Sequence, residues 1–246
     1  MYIEIDTHVH SVASTHAYST IQEIAQFAEK YGLKGFALTD HALGTDDSPH
    51  IWHFHNLKCL PRKINGKTVL LKGTEANIMD YDGNLDMNEN ELKRLEWTVA
   101  SMHRNIVGLK NPTPQKVAEA YINIAKNNKW VDVIGHCTTS AFEFDFEPVL
   151  KVCKEYEKFI EINESSIIFK DGSRKNAVEV LKICKKYEIP VVVNTDSHYC
   201  ELVGITTESE KLIEQTGFPK KLVANANMGW ILEHVSRKHN IDFSDI

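Results

Sequence analysis

Short apolar runs alternate with helical patterns of apolar residues from one end of the chain to the other. The runs are rich in Val, Ile and aromatic residues, and several are almost continuously apolar, which is typical of parallel strands buried on both faces. They predict seven strands: Tyr2–His8, Gly35–His41, Thr68–Glu75, Trp97–His103, Val131–His136, Phe159–Asn163 and Val191–His198. The alternation therefore favours an α/β fold with a parallel sheet.

Helices are predicted between the strands, where apolar residues recur at a spacing of three and four. The predicted helices are Thr20–Tyr31, Thr113–Asn127, Glu147–Tyr156, Lys175–Tyr187 and, near the end of the chain, Met228–Arg237. The first has a start signal in Thr20 followed by Glu23. Thr113 before Pro114 is typical of an N-cap with proline at the first helical position.

Seven strands separated by helices indicate βα units, which either close a parallel sheet or wind it on both faces. We prefer the closed form and predict an irregular seven-stranded βα barrel. No GxGxxG or GxxxxGK[ST] follows a strand, so the usual nucleotide sites of open sheets are absent from the sequence. No repeat or linker divides the chain, and we expect residues 1–246 to form a single domain. The segment 42–66 is expected to be a loop insertion over one face.

Composition and charge exclude several classes of protein. The chain has 246 residues and a formal net charge of −6, so it lacks the overall positive charge typical of nucleic-acid binding. No apolar stretch approaches the roughly 20 residues of a membrane span, and the start of the sequence does not resemble a signal peptide. Five cysteines without a CxxC pair favour a reducing compartment. We therefore expect a cytoplasmic protein without a membrane partner and leave a homo-oligomer open.

Six of the seven predicted strands end in a histidine or a carboxylate. Because the carboxyl ends of the strands meet at one face of a barrel, we expect these side chains to converge there. They are His8, His10, His41, Glu75, His103, His136, Asp196 and His198. Side chains alternate along a strand, so His8 and His10 point the same way. His16 lies a few residues beyond the first strand, near enough for its loop to fold back.

This set of side chains predicts a metal site. One strand-end histidine is more often a hydrogen-bonded residue than a ligand, but the whole set at one face is a strong signal. Imidazole together with carboxylate suits Zn²⁺, with Fe²⁺ or Mn²⁺ as alternatives. Seven histidines and two carboxylates exceed the ligands of one tetrahedral ion, so two or three ions are expected. Glu75, with two oxygens, is the natural bridge between two of them.

The order DTHVHS…H…TDH…E…H…H…DSH resembles the PHP family, named for polymerase and histidinol phosphatase members. Within that family, the stretches VASTHAYST, ALTDH, DSPHIWHFHN, GTEANIMDYDG and VVNTDSH are similar to the YcdX-type phosphatases. The similarity runs from residue 1 to about 235. It implies a distorted, TIM-like (β/α)7 barrel with a trinuclear, usually zinc, centre. The sequence departs from the branch after the fifth strand, where Cys137 and Thr138 stand in place of Pro-Gly, and in Arg104, which directly follows His103.

The resemblance also divides the ligands among three divalent ions. It implies that His8, His10, Glu75 and Asp196 bind the first ion and that Glu75 bridges to a second. His103 and His136 would complete the second site, and the third would be formed by His16, His41 and His198. The implied activity is that of a metal-dependent phosphatase acting on a small phosphomonoester. A metal-activated hydroxide would attack phosphorus, so no protein nucleophile is expected.

Several further residues are candidates for supporting roles. Asp6 and Asp40 lie beside ligand histidines and either orient those ligands or close backbone contacts at the strand ends. Four residues are candidates for substrate binding: Arg62 and Arg104 as phosphate-binding guanidiniums, and His53 and Trp52 from the insertion.

Other functions remain open at this point. A PHP-type nuclease or phosphodiesterase is disfavoured by the acidic balance and by the absence of a basic, aromatic-rich strip. Histidinol phosphate phosphatase activity is a further alternative that the sequence leaves open, because loops decide specificity. The complete ligand set also weakens the hypothesis that the protein is a catalytically silent, metal-stabilised scaffold. A related amidohydrolase would usually present a lysine at a strand end, and no predicted strand ends in lysine.

Overall fold

The computed structural model describes residues 3–246, so Tyr2, the first residue of the first predicted strand, lies outside the described residues. Eight strands are present in this range: β1 Ile5–Val9, β2 Gly35–Leu38, β3 Lys63–Ile64, β4 Thr68–Asn77, β5 Trp97–Ser101, β6 Val133–Ile134, β7 Phe159–Asn163 and β8 Val191–Asn194. Seven of them match the seven predicted strands. The eighth, β3, is a two-residue strand that pairs antiparallel with β4.

The seven main strands are parallel and follow one another in the order β1, β2, β4, β5, β6, β7, β8. The two ends of this sheet meet through residues just beyond the last strand. The amide of His10 donates to the carbonyl of Ser197 at 2.9 Å, and the amide of Asp196 donates to the carbonyl of His8 at 3.0 Å. The sheet is therefore nearly closed, and the predicted seven-stranded α/β barrel is confirmed.

Nine α-helices lie within residues 3–246: α1 Ile21–Lys30, α2 Trp52–Asn56, α3 Glu89–Leu92, α4 Pro114–Asn127, α5 Phe146–Glu155, α6 Glu164–Phe169, α7 Ser173–Tyr187, α8 Thr207–Thr216 and α9 Met228–His239. The five predicted helices correspond to α1, α4, α5, α7 and α9. Thr20 and Glu23 form the predicted capping box of α1, in which each side chain bonds the backbone of the other. Thr113 accepts from the amide of Lys116 as the N-cap of α4.

Four helices were not predicted. Three of them, α2, α3 and α6, have four to six residues, too few for a helical period to stand out from the sequence. No helix in the described range is both long and apolar enough to span a membrane.

The lumen of the barrel is apolar toward the amino ends of the strands and polar toward their carboxyl ends. Its apolar part includes Trp97, Leu71 and Phe159, and α9 packs against this cluster with Ile231 and Val235. Side chains alternate between the two faces of a strand, and on most strands the lumen face becomes polar toward the carboxyl end. On β4, for example, the face of Leu71 continues to Glu75. A second apolar cluster fills the space between the strands and the surrounding helices.

The segment 42–66 connects β2 to β4 in place of a longer helix. It contains α2, a short 3₁₀ turn at Leu57–Cys59, and β3. At its start, Asp47 contacts His16 and His41 at the carboxyl ends of the strands. At its end, β3 pairs with the first residues of β4, so the segment crosses the side of the barrel from one end to the other.

Candidate metal centre

The nine predicted ligands lie together at the carboxyl ends of the strands, most of them in the loops rather than in the strands. Only His8 in β1 and Glu75 in β4 belong to a strand. The other seven follow a strand by one to several residues: His10, His16, His41, His103, His136, Asp196 and His198. The chain leaves the sheet before these residues, which lets their side chains turn toward the barrel axis.

Glu75 lies at the centre of this cluster, and its carboxylate is almost completely buried. Five predicted ligands have a ring nitrogen within 3.6 Å of a Glu75 oxygen: His8, His10, His41, His103 and His136. The shortest distances join Oε2 to His41 Nδ1, at 2.8 Å, and Oε1 to His136 Nε2, at 2.9 Å. The two oxygens therefore face different histidines, as a bridging carboxylate requires.

Asp196 forms a second carboxylate at the centre. Its Oδ1 lies 3.1 Å from His10 Nε2 and 3.5 Å from His8 Nε2. The backbone of Asp196 is in the left-handed region, with φ at 55°, and His136 also has a positive φ of 23°. Residues other than glycine rarely take such conformations, and those that do are concentrated at functional sites.

His16 is the outermost of the predicted ligands, and about half of its side chain is exposed. Its ring stacks on His198 with the centroids 4.4 Å apart and lies 5.1 Å from that of His41. Nδ1 of His16 is 2.6 Å from Oδ2 of Asp47, a residue of the segment 42–66 that the sequence analysis did not single out. The carboxylate of Asp47 is thus a further potential ligand at the outer edge of the centre.

Four groups of three side chains place their ligand atoms within 4.8 Å of one another. They are His8, His10 and Glu75; His41, Glu75 and His103; His10, His41 and His198; and His16, His41 and Asp47. The first three contain only predicted ligands, and the fourth adds Asp47.

Besides the hydrogen-bond distances from Glu75 to His41 and His136, the cluster contains longer distances that fit a coordination shell. His8 Nε2 is 3.5 Å from the nearest oxygens of both Glu75 and Asp196. That is longer than a usual N–H···O bond of about 2.9 Å. It is close to the roughly 3.3 Å that separates two ligand atoms when each lies about 2.05 Å from a tetrahedral ion.

Three buried ring nitrogens of the cluster have no hydrogen-bond partner in the described range: His8 Nε2, His41 Nε2 and His198 Nε2. Unpaired buried polar atoms are rare in folded proteins. Here they face one another, which is the arrangement expected around bound cations. The donor set therefore fits divalent metal ions.

The charges of the cluster lead to the same conclusion. Glu75, Asp196 and Glu161 are buried, and within residues 3–246 their ion-pair contacts are to histidines, with no lysine or arginine among them. Burial lowers the pKa of His10 to about 3, and the nearby His41 acts in the same direction. Burial raises the pKa of Glu75, but the surrounding histidines outweigh it and hold this pKa well below its ordinary value. Burial also lowers the pKa of His8, but Glu161, Asp196 and Glu75 outweigh it and hold this pKa well above its ordinary value. A bound cation would take the place of that proton, because imidazole binds metal in its neutral form beside ionised carboxylate.

Glu161 in β7 is a buried residue of the site that the sequence analysis missed. Its Oε1 accepts from His8 Nδ1 at 2.8 Å, and its Oε2 accepts from the amide of His136 at 2.6 Å. A carboxylate that bonds Nδ1 of a histidine fixes the ring and leaves Nε2 free to bind metal. A glutamate between two isoleucines, in the run FIEI, was the available signal.

The structure shows which backbone and side-chain groups Asp6 and Asp40 contact. Asp6 accepts from the amide and hydroxyl of Thr195 and from the amide of Gly204, so it holds strand-end backbone rather than a histidine ring. Asp40 accepts from the hydroxyl of Ser14 at 2.9 Å, and that hydroxyl also lies 3.4 Å from His10 Nδ1. Asp40 thus reaches the ring of a predicted ligand through Ser14.

Two of the four substrate-binding candidates lie away from the cluster. Arg62 donates to both oxygens of Glu96, at 2.6 Å each, and to the carbonyl of Leu70, toward the amino ends of the strands. The guanidinium of Arg62 is thus engaged at the opposite end of the barrel from the predicted ligands, which argues against the expected contact with phosphate. Trp52 is exposed and lines a groove along the segment 42–66 that contains none of the nine predicted ligands. Trp52 lines neither the central cavity nor the two cavities next to it.

The other two candidates are closer. His53 Nε2 lies 3.1 Å from Asp40 Oδ2. His53 is therefore connected to the cluster through Asp40 and Ser14. Arg104 lines a cavity of about 290 Å³ beside His103, together with Lys170. Lys170 also lines the central cavity of about 260 Å³ between the predicted ligands. Burial is the largest cause that lowers the pKa of His136, and the positive charge of Lys170 is the next largest. Lys170 was not predicted as a site residue, because it follows α6 and does not lie at a strand end.

Comparison with known proteins places the chain in a family. Residues 6–167, more than half of the chain, match the PHP domain. The chain belongs to the PHP domain family. A probable phosphatase of Acetivibrio thermocellus is 40% identical over 238 residues, which are 97% of this chain and 97% of that protein. A probable phosphatase of Clostridium novyi is 38% identical over 238 residues, 95% of each chain. These relatives confirm the predicted PHP membership and the predicted phosphatase, a hydrolase.

A solved structure supports the PHP fold. Histidinol phosphate phosphatase from Lactococcus lactis, in complex with zinc, L-histidinol and phosphate, has a TM-score of 0.63 and 16% identity to this chain. The alignment covers 88% of this chain and 94% of that one. Asp196 and His198 lie beyond residue 167, in the part of the chain that the full-length relatives and this structure also cover.

Proposed function

We propose that this PHP-family chain hydrolyses a small phosphomonoester at a centre of three divalent ions. The observation that carries the proposal is the ring of histidine nitrogens around Glu75. The distance of 3.5 Å from His8 Nε2 to the Glu75 carboxylate and the unpaired ring nitrogens both fit bound cations. The proposed ligands are the nine side chains of the cluster: His8, His10, His16, His41, Glu75, His103, His136, Asp196 and His198.

We assign the ligands to three ions as the family resemblance implies. His8, His10, Glu75 and Asp196 would hold the first, and Glu75 would be shared with a second ion at His103 and His136. His16, His41 and His198 would hold the third. Groupings of ligand atoms within 4.8 Å support parts of each set and suggest Asp47 as an addition to the third.

Zinc is the first choice for the ions, with iron or manganese as alternatives. Imidazole and carboxylate ligands suit all three metals, and zinc is the usual occupant of histidine-rich hydrolytic sites. The Lactococcus lactis phosphatase of the same fold contains zinc. That likeness concerns the fold, so the choice of metal rests on the donor set.

Bound divalent ions would supply an activated water and positive charge for the phosphoryl oxygens. In the reaction a water oxygen forms the new bond to phosphorus, the ester P–O bond breaks, and the departing alcohol takes up a proton. Lys170 and Arg104, which line the cavities beside His103, are placed to bind phosphoryl oxygens. Glu161 orients the ring of His8. No side chain is required as a nucleophile.

The substrate is proposed to be a small molecule and the location cytoplasmic. All five cysteines are free, and four of them are buried, which supports a reducing compartment.

The first experiment measures metal content and turnover on one sample. The protein is purified without chelator or nickel affinity, its metals are determined by elemental analysis, and hydrolysis of p-nitrophenyl phosphate is followed with and without chelator. Two to three equivalents of metal, with turnover that the chelator abolishes, are expected. Less than one equivalent, with no gain of metal or activity on reconstitution, would overturn the proposal.

A further inference from the structure

The largest cavity beside the centre is apolar on its outer walls. It has a volume of about 600 Å³, and His16, Asp196 and His198 line one side of it. These residues also line the central cavity, so the two spaces meet at the proposed metal ligands. A volume of this size is typical of sites for small molecules.

Four large hydrophobic side chains face this cavity while remaining exposed to solvent: Ile168, Phe169, Leu202 and Ile205. They come from two separate segments, the end of α6 and the loop before α8. The described residues include eleven large exposed hydrophobic side chains, and four of them are gathered here. Exposed apolar side chains that are grouped rather than scattered mark a binding surface.

The two glutamates that line the cavity, Glu164 and Glu208, already have hydrogen-bond or ion-pair partners within the protein. Glu164 accepts from the amide and hydroxyl of Ser209 and from the amide of Glu208. Glu208 in turn pairs with Arg174 and Lys211. Among the described residues no lysine or arginine lines the cavity, so apart from the histidines of the predicted centre it has no cationic side chain to pair with a second anion. Its carboxylates likewise leave little for a cationic ligand to pair with.

We infer that this cavity binds the alcohol portion of the substrate and that this portion is an uncharged apolar group, alkyl or aryl. The inference rests on the proposed phosphatase function, because it places the phosphoryl group at the metal ligands and the organic group against Leu202 and Ile205. Esters that carry a second phosphate or a carboxylate would be poor substrates, since the cavity offers no cation to them.

A series of n-alkyl phosphates tests the inference, because ethyl, butyl and hexyl phosphate differ in apolar length but hardly in leaving-group acidity. Each methylene that the cavity buries is expected to raise kcat/KM by about two- to fourfold. From ethyl to hexyl phosphate the rise is then at least about 15-fold. The double substitution Leu202→Gln/Ile205→Gln is expected to remove most of this rise. Val107→Gln alters an exposed hydrophobic residue outside the cavity and should retain the rise.

A binding measurement separates this inference from the proposed function. Calorimetry with ethylphosphonate and hexylphosphonate, which cannot be hydrolysed at phosphorus, should show tighter binding of the longer compound in the wild type but not in the double variant. Equal affinities and a flat alkyl series would overturn the inference while leaving a phosphatase. If no ester is hydrolysed but affinity still follows chain length, the cavity is established and the proposed reaction fails. Thermal unfolding checks that the double variant is folded. If the double variant is unfolded, the two single variants, Leu202→Gln and Ile205→Gln, are measured instead.

Discussion

Nδ1 of His8 lies 2.8 Å from Oε1 of Glu161, and both side chains are completely buried. The contact turns Nε2 of His8 toward Glu75 and Asp196, at 3.5 Å from each. The orientation of the proposed metal ligand therefore depends on a residue that is not in the predicted ligand set.

Replacing Glu161 with glutamine tests this dependence. The amide keeps the size of the side chain but removes the charge that fixes the N–H at Nδ1, so metal affinity or kcat/KM should fall about 10- to 100-fold. Competition with a chromogenic chelator measures the affinity. Glu157→Gln, at an exposed position, is the matched control and should change neither quantity. Wild-type metal affinity and activity in Glu161→Gln would show that the pair is only structural.

Removing two proposed ligands of one ion should abolish activity. In His8→Ala/His10→Ala we expect kcat/KM to fall at least about 100-fold and the metal content to drop, because ligand loss and metal loss are linked. The increase in melting temperature on adding metal should also shrink, since a ligand stabilises only the folded state that binds it. The control, His50→Ala/His55→Ala, removes two histidines outside the cluster. Unchanged metal content and activity in the first variant would mean that the centre is misassigned.

Lys170 should contribute to phosphate binding. A charged hydrogen bond is worth about 1.5–3 kcal/mol, so Lys170→Ala is expected to lower kcat/KM by about 10- to 100-fold, chiefly through KM. Lys170→Arg, which keeps the positive charge, should recover part of the loss. Lys182→Ala makes the same change at an exposed position on α7 and serves as control. A normal KM for p-nitrophenyl phosphate in Lys170→Ala would remove this residue from the site.

Arg62 should matter for stability and not for catalysis. Its bidentate contact with the nearly buried Glu96 is at the amino-terminal side of the sheet. Arg62→Ala leaves that carboxylate without its main partner, and we expect a loss of about 1–3 kcal/mol in the free energy of unfolding. Urea denaturation measures the loss, and kcat/KM should stay within about twofold of the wild type. A large fall in kcat/KM in a folded variant would restore Arg62 as a substrate contact.

The parts of the fold that follow from local periodicity could be predicted from the sequence. The seven main strands and five of the longer helices have apolar patterns that extend over enough residues to be recognised. The ligand cluster was predictable for a related reason. Its members follow successive strands, and the topology of a parallel barrel brings the carboxyl ends of all strands to one face.

The residues that sequence reasoning misplaced depend on contacts between distant segments. Arg62 was a candidate only because a guanidinium can bind phosphate, whereas its carboxylate partner Glu96 is 34 residues away in the sequence. The role of Glu161 required the knowledge that its side of β7 faces His8 across the lumen. Lys170 reaches the central cavity only because α6 turns back over the strand ends. Such tertiary contacts leave no local pattern in the sequence.

The buried cluster of Asp132, His234 and Lys238 should make stability depend on pH independently of the metal centre. Asp132 lies directly before β6, and its carboxylate accepts from His234 Nε2 at 2.7 Å and from the Lys238 ammonium at 2.5 Å. Burial raises the pKa of Asp132, but Lys238 and His234 outweigh it and lower this pKa from 3.8 to about 2. A carboxyl group with a lowered pKa in the folded state stabilises the protein above its unfolded pKa, near 4, and loses that contribution as the pH falls toward 2.

The comparison of wild type with Asp132→Asn isolates this effect, because the carboxylates of the metal centre titrate equally in both proteins. At neutral pH the variant should be less stable by about 3 kcal/mol, since Lys238 keeps a buried charge without its partner. Between about pH 4 and pH 2 the difference should shrink, because the wild-type carboxylate becomes protonated and also loses its charge. Urea unfolding of the two chelator-treated proteins across this range measures it. A difference that stays constant down to pH 2 would show that the contribution of Asp132 to stability does not depend on its ionisation.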